Sequence, residues 1–435
     1  MESLLASTDN DQLLPMADYK ISGPTASYVT DRQEATFFSN VTEAGPNSVR
    51  VATFNVNSDN FIDLNSLHFS FEVQNLSNTG TLDFLSYLPQ VLFDRFILTI
   101  GGVSCEDILH FNRTSVLFDN FLPSDKRQNN ADLGFGTPSR TTGDHTLWQA
   151  NHIAPSKSRR VVFKPMISGL ISGQNKYMPG FALGQQGLQI QLHCAQAADI
   201  CNTLAGKSTQ YVLKDLRVNC NTIMVSSELM NSYSQHLLSG RSFFMPFVSM
   251  TTMMHALPGN TDTWDVNINR TFTRLVDVYS HWMKNPTVQE KDVNTFYSPV
   301  HASGEDSVKT FISAGDKRFS SFDRHGNAQL LQRLYETLGT TNSFQGVQFN
   351  REQFDKDHFT LAYDMEKVGN HASGSGMNLS HGQLLKIHVE GAGKAGTPAS
   401  EGVIATSDSY VKKAYTTCRY DVILELTSTG ASCHS

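Results

Sequence analysis

Alternating apolar and polar residues along most of the chain predict β-strands with one buried face. In the clearest run, residues 67–74, the apolar residues Leu67, Phe69, Phe71 and Val73 alternate with polar ones. Because successive side chains of a strand point to opposite faces, this run predicts a strand with one face in a core and one in water. Similar texture predicts strands near residues 51–57, 161–163, 188–193, 211–225, 243–254, 264–279, 359–365, 385–389 and 420–426.

Residues 92–122 change from strand to helical periodicity. Their first part is rich in aromatic and β-branched residues, and Gly101 and Gly102 then provide the positive φ angles of a tight hairpin turn. After Cys105, apolar residues recur at spacings of three and four, which predicts a helix that ends at Pro123. We expect one strand face to enter a core and three helix residues to pin the helix beside it. The strand face is Phe96, Leu98 and Ile100, and the helix residues are Phe111, Phe118 and Leu122.

The second half of the chain repeats this order of strands, one short helix and more strands. Leucines at helical spacing predict the second helix over residues 328–339, and Gly339 ends it. A further short helix over residues 226–240 begins with a hydroxyl cap and an acid in its first turn, and we interpret it as a bridge. Two all-β sandwiches joined by a helix follow from this pattern.

Three long polar segments lack a sustained period. Residues 1–45 predict an arm that lies along a neighbour or stays unpacked, since termini without packing partners are poorly ordered. Residues 124–158 and 285–327 predict long connections, which are usually functional or disordered.

Composition excludes several classes of protein. The chain has 435 residues, a net charge of −7 and fewer Lys plus Arg (34) than Asp plus Glu (41), which argues against a protein that mainly coats phosphate backbones. The start carries no cation before Lys20, so we expect no signal peptide. No run reaches the roughly 18 apolar residues of a membrane span.

The cysteines form no CxxC pair, so free, partly buried thiols are favoured over a zinc site or a disulfide scaffold. The six residues are Cys105, Cys194, Cys201, Cys220, Cys418 and Cys433.

Four groups of residues could carry chemistry, and each has a plainer interpretation. The run from Gly206 to Thr209 looks like the end of a phosphate-binding loop, but the required first glycine is replaced by Cys201 and a strand follows. Three further groups remain: acidic and basic residues in a polar segment, three histidines and three tryptophans. The plainer interpretations, in that order, are a solvated loop, surface histidines, and core or interface tryptophans. The groups are Asp323 to Gly326 with Glu305 and Asp306; His371, His381 and His388; and Trp148, Trp264 and Trp282. We therefore predict no catalytic, cofactor-binding or metal-binding residue.

The run LFDRFILTIGGVS at residues 92–104, with the helix and Phe-Leu-Pro break after it, resembles the signature region of double jelly-roll major capsid proteins. These occur in polinton-like viruses, virophages and nucleocytoplasmic large DNA viruses. Other runs are similar in the same order: YVLKDLRVNCNTIMV at 211–225, FTRLVDVY at 272–279, HFTLAYDM at 358–365 and the strand at 418–426.

The resemblance implies an all-β fold of two tandem eight-stranded jelly-roll barrels, with a short helix in each and a short linker helix. The expected division is an N-terminal arm (1–45), a first barrel (46–225), a linker helix (226–240), a second barrel (241–430) and a C-terminal tail (431–435). By analogy, residues 124–158 and 285–327 would make trimer contacts or the outer surface, and residues 1–45 would lie on the inner side.

The function implied by the resemblance is that of a non-enzymatic coat subunit. Three chains would form a pseudo-hexameric capsomer that tiles an icosahedral virion shell around double-stranded DNA. Expected partners are other copies of the chain, vertex and minor capsid proteins and an internal membrane, with no sequence-specific nucleic acid. Assembly would occur inside the host cell. Two alternatives stay open: a two-sandwich hydrolase acting on glycans, which needs paired acids in a groove between the domains, and a lectin-like attachment protein.

Overall fold

The computed structural model describes residues 28–434 with internal gaps. The gaps are residues 85, 137–151, 174–175, 185, 202–205, 259–260, 262, 284–307, 320–321, 341–350, 352–353, 355–357, 368–374, 380–383, 392–412 and 429.

Eight principal strands build the first barrel as two facing sheets. They are β1 (Val29–Phe38), β2 (Val51–Val56), β3 (Phe61–Asn75), β4 (Phe93–Ile100), β5 (Val103–Leu109), β6 (Ser158–Phe163), β7 (Leu188–Cys194) and β8 (Tyr211–Val225). One sheet has the order β1-β8-β3-β6, and the other has the order β2-β7-β4-β5. Short strands at Glu43–Ala44 and Met178–Pro179 extend the first sheet, and Thr81–Leu82 pairs with Lys207–Ser208.

The second barrel repeats this plan. Its strands are β9 (Phe243–Ala256), β10 (Trp264–Ile268), β11 (Leu275–Met283), β12 (Lys309–Ala314), β13 (Lys317–Arg318), β14 (Thr360–Asp364), β15 (Leu385–Glu390), β16 (Lys413–Thr427) and β17 (Gly430–His434). The sheets have the orders β9-β16-β11-β14 and β10-β15-β12-β13; β17 joins β16, and Arg324–His325 joins β12. In both barrels the first strand pairs with the eighth and the second with the seventh, which is the strand order of a jelly roll.

Four helices of ten residues or more accompany the described strands. They are α1 (Phe111–Asn120), α2 (Ser124–Leu133), α3 (Ser227–Leu238) and α4 (Asn327–Thr337). One-turn helices occur at Pro89–Leu92, Gly169–Ser172, Gly180–Ala182 and Ala197–Ile200. Helices α1 and α4 both follow the fifth strand of their barrel, and α3 joins the barrels, so the three predicted helices are confirmed.

Two terminal strands correct the expected arm and tail. Residues 29–38, placed in the arm, pair with β8 along their length, and residues 430–434, overlapping the expected tail, pair with the end of β16. The run VTDRQEATFF of β1 is mostly exposed, so it has no apolar face whose alternation could reveal a strand. Backbone pairing with β8, and not burial of an apolar face, stabilises β1 as a strand.

Two further boundaries differ from the pattern. The polar stretch 124–158 contains the whole of α2, which buries only Ala131 and therefore lacks an apolar stripe. Strand β5 continues to Leu109, and α1 begins only at Phe111, because His110 takes a left-handed conformation with φ 51°.

The expected packing of the 92–122 region is confirmed for its strand. Phe96, Leu98 and Ile100 are fully buried, and the ring of Phe111 stacks on Phe96 with centroids 5.3 Å apart. This ring packing attaches the N-terminal end of α1 to the first barrel. The C-terminal end of the helix packs against the second barrel.

Candidate assembly surfaces

Helix α1 links the two barrels. Phe118 meets Tyr279 of β11 edge-on with ring centroids 5.4 Å apart, and Phe121 meets the same ring at 5.9 Å. Tyr279 is fully buried. The residue predicted to pin the helix to its own barrel, Phe118, thus packs against the second barrel, and α1 serves as a wedge between the two.

A chain of hydroxyl groups continues this contact. The Thr114 hydroxyl of α1 lies 2.7 Å from that of Thr252 on β9, which lies 2.8 Å from that of Thr417 on β16. Thr114 also donates to the His110 carbonyl oxygen at 3.1 Å. All three threonines are buried, so these bonds satisfy polar groups that would otherwise be desolvated without a partner.

Ring and guanidinium groups extend the same face along strands β11 and β16. His281 of β11 stacks on Tyr415 of β16, and the Tyr415 ring also meets His110 edge-on at 5.3 Å. The guanidinium of Arg113 in α1 is buried and donates to the Asp199 carbonyl oxygen at 3.4 Å. Burial, reinforced by the positive charge of Arg113, lowers the pKa of His281 to about 3, so this histidine stays neutral at ordinary pH.

An ion pair between the half-buried Arg419 and the buried Asp277 supports Tyr279 from within its own sheet. Arg419 Nη1 lies 3.0 Å from Asp277 Oδ2, and the Tyr279 hydroxyl donates to the same oxygen at 3.3 Å. Burial opposes the charge on Arg419, but the neighbouring Asp277 raises the pKa of the guanidinium overall. The pair holds the aromatic ring against α1.

A second contact between the barrels is made by the turn at Ser168 and Gly169. The fully buried Glu106 carboxylate accepts hydrogen bonds from the Ser168 hydroxyl and, at 2.9 Å, from the Gly169 amide. A Cβ on Gly169 would lie 1.7 Å from the Val248 carbonyl oxygen of β9, so only glycine permits this approach. Burial raises the pKa of Glu106 from 4.5 to about 7.

These contacts cover the outer face of one sheet of the second barrel. The cross-strand residues Thr252, Thr417 and Tyr279 form one row on that face, and all are buried although they point away from their own barrel core. A strand buried on both faces loses its alternation. The run YTTCRYDV of β16 shows this signal, which sequence reasoning had not used.

The corresponding face of the first barrel remains accessible among the described residues. Its middle row comprises Thr36, Asn219 and His68, which occupy neighbouring strands and hydrogen-bond to one another through Asn219. Thr36 is exposed, and Phe38 two residues later is 63% exposed beneath the Arg217 guanidinium, which lies 5.3 Å from the ring centroid. The two equivalent sheets therefore differ among the described residues: α1 covers the second barrel's face, and no described element covers the first barrel's face.

Helix α4 has the place in the second barrel that α1 has in the first. Its inner side buries Leu330, Leu331 and Leu334 against its own barrel. Its outer side exposes polar residues within the described part of the chain, namely Gln329, Gln332, Arg333 and Glu336.

Those sequence candidates for chemistry that the structure describes are not brought together. Lys207 pairs with Asp83 in a short strand, and Cys201 is buried, so residues 206–209 form no phosphate loop. Arg318 binds Asp323, and Arg324 donates to the Ala362 carbonyl oxygen at 2.8 Å. Glu305, Asp306, His371, His381 and Trp148 lie outside the described residues.

The remaining candidates have structural roles. Trp264 and Trp282 meet edge-on at 4.8 Å in the second core, which confirms them as core residues. His388 contacts Asp265 at 2.6 Å on the outside of the sheet. All six cysteines are free, five of them buried. Within the described ranges, no three metal-binding side chains converge, and no helix has the length and apolar character needed to span a bilayer.

Comparison with known proteins places the fold. No protein family and no curated protein matches the sequence. Among solved structures, VP54 of PBCV-1, fitted into a reconstruction of the virophage Sputnik, superposes with a TM-score of 0.67 at 13% identity over 95% of this chain and 99% of that one. The Faustovirus major capsid protein gives 0.61 at 10% identity over 97% and 94%.

The cryo-EM structure of the Sputnik virophage gives a TM-score of 0.60 at 10% identity over 97% of this chain and 92% of that chain. These identities establish likeness of fold. The superpositions span both barrels, and the strand order within each barrel agrees with them. The chain has the double jelly-roll fold that these viral capsid proteins share.

Proposed function

We propose that the chain is a major capsid protein whose copies join head to tail into trimers. The observation that carries this proposal is the unequal coverage of equivalent sheets. The second barrel's outer face is covered by α1, and the first barrel's face is left accessible by the described part of the chain. The capsid-protein fold supports the proposal independently.

The contact between the two barrels of one chain is our template for the contact between neighbouring chains. Helix α1 of the first barrel covers the β9-β16-β11 face of the second. If the same relation continues, α4 of one chain covers the β1-β8-β3 face of the next. Such a head-to-tail contact generates a closed ring when the rotation is that of a regular polygon. Six barrels from three chains close a pseudo-hexagonal ring.

Rings of this outline tile an icosahedral shell, and we assign the protein to that shell in a virion that encloses double-stranded DNA. The role is structural and requires no catalysis. Other capsomers, vertex and minor capsid proteins and an internal membrane are the proposed neighbours, and the host cell is the proposed site of synthesis and assembly. Residues 124–158 and 285–327 are proposed for trimer contacts or the outer surface, and the segment before β1 for the inner side.

The accessible face offers a direct test. Phe38→Glu places a charge within the proposed contact, two residues from its middle row, yet the new carboxylate can pair with Arg217 and leave the barrel folded. We expect wild type to have a mass three times 48.2 kDa by light scattering, and Phe38→Glu to shift to monomer with unchanged circular dichroism.

Leu76→Glu is the matched control. Leu76 is 50% exposed, but it follows the end of β3 at the rim of the barrel and lies off the proposed contact. It should remain trimeric. Monomeric wild type, or equal loss of mass in both variants, would contradict the head-to-tail contact.

A further inference from the structure

Two cysteines that are 328 residues apart in the sequence meet where the barrels join. Cys105 lies on β5 of the first barrel, and Cys433 lies on β17, the last described strand of the second. Their Sγ atoms are 2.8 Å apart. Cys105 is 6% exposed, and Cys433 is half-buried. Scattered spacing along the sequence gave no sign of this pairing.

Strand β17 is held between the barrels. Its backbone pairs with β16, with Cys433 opposite Leu424. It also lies against the hairpin of the first barrel, since a Cβ built on Gly101 would be 3.2 Å from the Ala431 Cβ. Both cysteine backbones are thus fixed by sheet pairing, and the two side chains point at each other.

We propose that Cys105 and Cys433 form a reversible disulfide that clamps the C-terminal strand, and with it the second barrel, to the first barrel. A disulfide bond has a sulfur–sulfur distance of about 2.05 Å, so closure requires an approach of roughly 0.8 Å, which side-chain rotation can supply. The proposal concerns one chain and is independent of the proposed shell.

The oxidant we name is a low-molecular-weight disulfide such as oxidised glutathione. The Cys433 thiolate attacks one glutathione sulfur, forming a mixed disulfide and releasing a glutathione thiolate. The Cys105 thiolate then attacks the Cys433 sulfur and releases the second glutathione. Two protein thiols are oxidised, one glutathione disulfide is reduced, and the two released thiolates take up the two protons.

The order of attack follows from the surroundings of the two thiols. The hydrogen bond between them lowers the pKa of Cys433, and the same bond, with burial, raises the pKa of Cys105. Cys433 is also the more accessible of the two. The thiolate is the nucleophile in exchange, so Cys433 reacts first and Cys105 resolves the mixed disulfide.

The test compares the full-length protein after incubation with reduced or oxidised glutathione. We expect oxidation to remove two of the six thiols and to yield a Cys105–Cys433 linked peptide by mass spectrometry. The thermal midpoint should rise by roughly 5 °C, because the bond closes a very long loop in the unfolded chain. Excess reduced thiol should reverse both changes.

Two variants locate the effect. Cys433→Ser should lose the linked peptide and the thermal shift, and Cys220→Ala, which removes a buried cysteine from the other sheet, should keep both. Retention of all six thiols in oxidised wild type, a product that stops at glutathione on Cys433, or the same thermal shift in Cys433→Ser would overturn the proposal.

Discussion

Glu106 shows how a single residue ties the contact between barrels to pH. Its carboxylate is fully buried and caps the turn at Gly169, which touches β9. Because its pKa rises from 4.5 in the unfolded chain to about 7 in the folded one, its protonated form is favoured by folding. The contribution of Glu106 to the free energy of unfolding is therefore fully present below pH 4.5 and is lost as the pH rises through 7.

Replacing Glu106 with Gln should remove this pH dependence. Between pH 5 and pH 8 we expect the free energy of unfolding of wild type to fall by up to about 3 kcal/mol relative to Glu106→Gln, since 2.303RT is about 1.4 kcal/mol for each pKa unit. Urea unfolding at several pH values measures the difference. Glu72→Gln on the half-buried outer side of β3 should keep the wild-type profile; parallel profiles for wild type and Glu106→Gln would refute the assignment.

The decisive element is α1, because it packs on two barrels at once. Its N-terminal ring contact is with Phe96, its C-terminal contact is with Tyr279, and its middle joins the threonine chain. Nearly every residue of α1 is buried, as in a helix packed inside a protein core. Here the helix is enclosed by the two barrels and not by a single core.

Thr252→Val should weaken this junction. Valine has almost the same shape but leaves the buried Thr417 hydroxyl without its hydrogen bond, so we expect the free energy of unfolding to fall by about 1–3 kcal/mol. Thr53→Val, at a half-buried position on β2, should change it by less than about 0.5 kcal/mol. Equal changes in the two variants would show that the threonine chain contributes little.

The elements also show what sequence reasoning could reach. Strands with one wet face, such as β3 and β7, and helices with an apolar stripe, such as α4, were predicted because their periodicity records burial on one side. Strand β1 was missed because both its faces are largely exposed, and α2 because it buries one residue. The partner of Phe118 was out of reach, since periodicity reports that a side chain is buried but not which element covers it.

At the scale of the whole molecule, one chain carries both surfaces of the proposed contact between chains: the sheet that is to be covered and the helix that is to cover it. Within the described ranges, the second barrel's sheet is covered by α1, the first barrel's equivalent sheet is accessible, and α4 presents a polar outer side. The resemblance that suggested two barrels predicted the fold correctly. It could not predict which faces meet, because that depends on side chains from strands far apart in sequence.

Single-particle cryo-EM of the purified full-length protein tests the head-to-tail ring most directly. The account predicts a three-fold symmetric particle with a hexagonal outline made of six upright barrels. In it, α4 of each chain should lie on the β1-β8-β3 face of the next, with Phe38 buried. Monomers, two-fold dimers, or trimers in which that face points to solvent would contradict it.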